Sequence, residues 1–87
     1  MKKLIIFTAP TCGPCQLFKP QVKTAALNMN IAYEEIDVTT DDGLAKAKEF
    51  NISSSGIALY LIDNKEVIKF DKPCAAATIE NMINEKS

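Results

Sequence analysis

Cys12-Gly13-Pro14-Cys15 constrains this chain more than any other segment. Before it, Leu4-Ile5-Ile6-Phe7 is a short apolar run of strand type and Thr8 to Thr11 reads as a turn; after it, the residues from Leu17 onward have helical spacing. A strand that enters a helix through this motif places both cysteines in the first helical turn, and their i,i+3 spacing puts both sulfurs on one face. There the unpaired backbone N–H groups and the positive end of the helix dipole favour a thiolate, the form of cysteine that attacks. Pro14 is tolerated in a first turn, where its missing N–H would have had no partner. The segment is thus a thiol pair that can open and close a disulfide.

Composition narrows the chemistry further. Eighty-seven residues make one domain, 1–87, burying about 60–65% of its unfolded surface. A net charge of −1 from 10 basic and 11 acidic residues leaves no electrostatic footprint for nucleic acid or an anionic membrane. The chain has no arginine, so bidentate guanidinium recognition of phosphate or carboxylate is excluded, and it has no histidine or tryptophan. Met1-Lys2-Lys3 is basic, but Leu4 to Phe7 is too short for a signal core, and no run approaches a membrane span. The expected home is the cytosol, where a CxxC beside a βαβ pattern reads as redox-active rather than structural.

Periodicity predicts strand 3–8, helix 12–28, strand 31–38, helix 41–50, strand 57–62, strand 66–70 and helix 74–85. Leu17, Phe18, Val22, Ala25 and Ala26 form the expected buried stripe of the first helix, Leu44, Ala47 and Phe50 that of the second, and Ile79, Met82 and Ile83 that of the third. Thr39 or Thr40 caps the second helix ahead of Asp41-Asp42, and Pro73 suits the first position of the last. The close turn at Asp63-Asn64 makes the last two strands antiparallel, while strand–helix–strand at the start demands a parallel pair.

Thr11-Cys12-Gly13-Pro14-Cys15-Gln16, with Pro20 five residues after the second cysteine and the element order above, resembles the thioredoxin family, in a trimmed form of glutaredoxin size that starts at the strand leading into the motif. The resemblance implies an α/β, thioredoxin-like fold, a minimal β-α-β-α-β-β-α plan with a central four-stranded mixed sheet flanked by helices. It implies a thiol-disulfide oxidoreductase in which Cys12 attacks a protein disulfide and Cys15 resolves the mixed disulfide. Thr11, Gly13, Pro14, Ser55 and Gly56 are then the substrate-binding residues, a flavoprotein disulfide reductase is the electron donor, and a cytoplasmic monomer needs no cofactor and no metal. Gly-Pro between the cysteines favours a thioredoxin-type reductant over a glutaredoxin, whose motif is usually Pro-Tyr.

Three positions depart from the family. Gly56 stands where the family places a cis-proline opposite the dithiol, and a cis peptide before a non-proline residue costs about 2.5–4 kcal/mol, so the Ser55–Gly56 bond is expected trans. Ser53, Ser54 and Ser55 are possible hydrogen-bond donors to a bound thiolate. Ile6 replaces a buried aspartate that serves the resolving cysteine; Glu34 and Glu35 lie on the next strand, pointing to opposite faces, and are expected to be ordinary surface charges. Cys74 falls near the turn before the last helix, either as a rim thiol or extra metal ligand, or as a small half-buried hydrophobe at a helix start. Two other functions compete with disulfide reduction: a partner-binding module that keeps the fold, and a metal or iron–sulfur carrier using Cys12, Cys15 and Cys74.

Overall fold

The computed structural model describes residues 1–52 and 55–86. Ser53 and Ser54, two of the serines considered above, lie outside the described residues. The chain runs β1 (Lys2–Thr8), α1 (Gly13–Asn28), β2 (Ala32–Asp37), α2 (Asp41–Glu49), β3 (Ile57–Ile62), β4 (Lys65–Phe70) and α3 (Ala76–Lys86). The strands form one mixed sheet in the order β2-β1-β3-β4. β1 pairs parallel with β2 and antiparallel with β3, and β3 pairs antiparallel with β4. Asp63 and Asn64 both take positive φ, 52° and 66°, the two-residue hairpin geometry whose twist matches the strands it joins.

β1 is apolar without interruption because it is buried on both faces: Leu4, Ile5, Ile6 and Phe7 are each at most 1% exposed. Leu4 and Ile6 join Phe18, Val22, Tyr60, Ile79 and Ile83 in the core beneath α1 and α3. Ile5 and Phe7 join Ile36, Leu59, Leu61 and Ala47 on the α2 side. α2 lies close on the end of β2, since a Cβ at Gly43 would run into the Asp37 carbonyl oxygen. Thr40 caps it, its hydroxyl accepting the Gly43 N–H at 3.0 Å.

Several expected core residues face solvent instead. Leu17 is 73% exposed because α1 buries one narrow arc, set by Cys15, Phe18, Val22, Ala25 and Ala26, and Leu17 projects off it. Leu44 is displaced in the same way by the buried Gly43 and Ala47 of α2, and Met82 flanks the Ile79 and Ile83 face of α3. The last helix begins at Ala76, so Pro73 and Cys74 precede it and neither occupies a helix start. The Gln21 side chain on α1 accepts the Ala76 N–H at 3.0 Å and fixes where α3 begins.

Tyr60 is fully buried opposite Leu4, and its hydroxyl finds no hydrogen-bond partner among the described residues. Burial also pushes its pKa up. An orphaned buried hydroxyl costs about 1–3 kcal/mol. Tyr60→Phe is therefore expected to raise the unfolding free energy by about 1 kcal/mol, and Tm by about 4–8 °C for a domain of this size. Thermal and urea unfolding check this; a loss of stability would show that the hydroxyl is bonded after all.

Candidate active site

The dithiol is placed by the end of β1 and the start of α1. The Cys12 N–H donates to the Ala9 carbonyl at 3.1 Å, closing a turn that reverses the chain from strand into helix. Cys12 is the N-cap of α1, with extended backbone at φ −85° and ψ 102°, so it stands one residue before the helix rather than inside its first turn. Cys15 lies in that turn, and its N–H donates to Cys12 Sγ at 3.2 Å. The two sulfurs are bonded to each other across a Cα–Cα distance of 5.3 Å.

This arrangement makes the two cysteines chemically unequal. Cys15 is fully buried, whereas Cys12 is half-exposed at the surface. In the disulfide form Cys12 sulfur holds the acceptor position of a helix cap, a position where backbone N–H groups and the helix dipole favour negative charge. The first turn of α1 contains no acidic residue to oppose that charge.

The loop before β3 closes the site from the opposite side. The Gly56 N–H donates to the Phe7 carbonyl at 2.7 Å, and the residue has φ +83°. A Cβ built on Gly56 would lie 3.7 Å from Cys15 Sγ and 3.9 Å from Cys12 Sγ, so its backbone rests directly over the disulfide. Ser55–Gly56 is trans, as expected for a non-proline residue, and no cis peptide occurs among the described residues. Thr11, Gly13 and Pro14 are exposed around Cys12, while Ser55 and Gly56 are half-buried. Thr11, Gly13 and Pro14 are chain neighbours of the two cysteines, Gly56 lies over the sulfurs with Ser55 preceding it, and exposed Leu17 lies one turn along α1 from Gly13.

Ile6 is fully buried in the α1-side core. Glu34 is ion-paired with Lys3, and Glu35 with Lys19 at 3.0 Å, so neither is a buried base for Cys15. Cys74 packs against the core as a half-buried residue, and burial pushes its thiol pKa up, the reverse of an activated cysteine. It does not join Cys12 and Cys15: among the described residues no group of three His, Cys, Asp or Glu side chains is placed to hold a metal ion. One feature beside the dithiol escaped sequence reasoning, a cleft between the active-site turn and β2 that Thr8 and Asp37 help to line. Its sequence signal is slight, a polar Thr8 ending an otherwise apolar strand.

A side chain at positive φ costs about 1–2 kcal/mol, and proline would lose the hydrogen bond to Phe7 and require φ near −65°. Gly56→Ala is expected to lower stability by about 1–2 kcal/mol and Gly56→Pro by about 2–4 kcal/mol in urea unfolding. An unchanged or raised midpoint for Gly56→Pro would show that the loop can take another backbone geometry.

The thioredoxin family model matches residues 1–85. The thioredoxin of Porphyra purpurea is 27% identical over 82 residues, a match spanning 94% of this chain and 77% of that protein. Over 46 residues the chain is 37% identical to NADPH-dependent thioredoxin reductase 3 of Arabidopsis thaliana, covering 51% of this chain and 9% of that protein. Among solved structures, a mutant thioredoxin from Halobacterium salinarum superimposes with a TM-score of 0.84 at 26% identity, over 98% of this chain and 74% of that one. The sequence match runs through the same strand, turn and helix that bring Cys12 and Cys15 together as a disulfide, and on those grounds the chain belongs to the thioredoxin family and is a thiol-disulfide oxidoreductase with protein-disulfide reductase chemistry.

Proposed function

We propose that Cys12 is the attacking thiolate and Cys15 the resolving thiol of a two-electron reduction of client protein disulfides. In the reduced protein, Cys12 sulfur attacks one sulfur of the client disulfide, the client's S–S bond breaks, and its other sulfur leaves as a thiolate. Cys15, after losing its proton, attacks Cys12 sulfur in the mixed disulfide. The client's second sulfur is released, and the Cys12–Cys15 disulfide remains with the client reduced by two electrons. The observation that carries this assignment is the asymmetry at the helix start, a half-exposed capping sulfur beside a fully buried one.

The client docks on Thr11, Gly13 and Pro14, with the backbone of Ser55 offering hydrogen bonds to an extended segment and Gly56, whose N–H is held by Phe7, lying against the client over the sulfurs. A flavoprotein disulfide reductase returns two electrons to the disulfide, meeting the same rim together with Pro10. The partial likeness to the Arabidopsis thaliana reductase supports a donor of that class. A net reductant also needs a compartment poised to keep thiols reduced, which supports work in the cytoplasm.

Dithiothreitol-driven reduction of insulin tests the assignment. The wild-type chain is expected to catalyse it, and Cys12→Ser to fall to the uncatalysed rate. Cys15→Ser is expected to accumulate a client-bound mixed disulfide, visible by mass spectrometry under non-reducing conditions. Turnover that survives in Cys12→Ser would overturn the proposed roles.

A further inference from the structure

We infer that the cleft beside the active-site turn is a subsite for a cationic client side chain, the lysine or arginine flanking the reacting cysteine. The inference rests on the reductase reading and adds a substrate preference to it. The cleft has a volume of about 260 Å³. Thr8, Ala9 and Pro10 form one wall, Gln16 and Lys19 of α1 a second, and Glu35 and Asp37 of β2 the third. Ligand and cofactor pockets occupy about 300–1,000 Å³, so this space suits a single side chain better than a small-molecule cofactor.

Position ties the cleft to the reaction. The turn closed by Cys12 N–H on the Ala9 carbonyl keeps the Cα atoms of residues 9 and 12 within about 7 Å. In an extended client, a residue two positions from the reacting cysteine lies about 6.4–6.8 Å away along the chain. A client with its cysteine on Cys12 can therefore present that neighbour to the cleft.

Charge and hydrogen bonding select the ligand. Lys19 and Glu35 already neutralise each other at 3.0 Å. Asp37 remains, and bonds from the Thr39 hydroxyl at 2.6 Å and N–H at 2.8 Å, both to Oδ1, hold its carboxyl below the usual carboxylate range. The lining thus carries one uncompensated negative charge. Thr8, only 8% exposed, also lines the space, and its hydroxyl, buried just behind that lining, has no hydrogen-bond partner among the described residues. A hydroxyl can accept a bond from an ammonium or guanidinium donor. An anionic side chain would instead meet two carboxylates, with the single lysine already paired.

The test uses prereduced full-length protein and two peptide disulfides that differ only in lysine or glutamate two residues from the cysteine, compared by second-order rate constants at low ionic strength. The lysine peptide is expected to react about 5-fold faster. Asp37→Asn, which retains an acceptor oxygen for Thr39, and Glu35→Gln, which frees Lys19, should each bring the ratio below about 2-fold. Glu85→Gln, at the far end of α3, should leave it unchanged and so separate local recognition from general attraction. Equal rates in the wild type, or a ratio unaltered in both cleft variants, would overturn the subsite while the reductase reading stood. Reaction with neither peptide would remove the reductase reading. The subsite is then decided by titrating the ¹⁵N-labelled oxidised protein with N-acetyl-lysine amide: N–H shifts confined to residues 8, 9, 16, 19 and 35–37 support it, and their absence overturns it.

Discussion

The register of β1 between its two neighbours holds the rest of the site in place. On one side Phe7 faces Ile57, and the Phe7 carbonyl takes the Gly56 N–H, which lowers the β3 loop onto the sulfurs. On the other side Thr8 faces Asp37, and the Thr8 carbonyl accepts the Val38 N–H at 2.9 Å, which brings the acidic end of β2 beside the active-site turn. A slip of one residue would exchange the two buried faces of β1 and separate both arrangements from the dithiol. The double burial of Leu4 to Phe7 makes such a slip costly, because either cluster would lose its apolar contacts.

The same strand end produces the difference between the cysteines. A chain leaving a central strand must turn before it can begin a crossover helix, and the residue that ends the turn has extended backbone while its successors are helical. Cys12 occupies that junction, so its sulfur stays near solvent and accepts from the helix, whereas Cys15 has rotated onto the buried arc with Phe18 and Val22. Exposure, hydrogen bonding and desolvation all follow from a separation of three residues at a helix cap.

Much of this was legible in the sequence, because its signals are local. The apolar run of β1, the CxxC ahead of a helical pattern, the Thr40 cap and the Asp63-Asn64 hairpin each depend on a few adjacent residues. What escaped depends on neighbours distant along the chain. Leu17 fits a helical apolar stripe, but which arc of α1 is covered depends on β1 and α3; Leu44 was displaced by the close approach of Gly43 to Asp37. The start of α3 depends on Gln21, 55 residues away, rather than on Pro73. The cleft needs the parallel pairing of Thr8 with Asp37, which no local pattern encodes.

Ile6 shows how the core and the chemistry are coupled. A carboxylate at this fully buried position would interrupt the apolar layer formed with Leu4, Phe18 and Ala58, and an unpaired buried charge is costly. Isoleucine keeps that layer continuous in a chain of 87 residues, where little core can be spared. The consequence falls on the second step of the proposed reaction, because no buried carboxylate stands near Cys15 among the described residues. The proton balance nevertheless closes through the client. Its first sulfur departs as a thiolate with an ordinary pKa of about 8.5, and by accepting the Cys15 proton it leaves the resolving sulfur free to attack. Resolution in this mechanism is thereby tied to the basicity of the client's leaving thiol instead of to a fixed group in the fold.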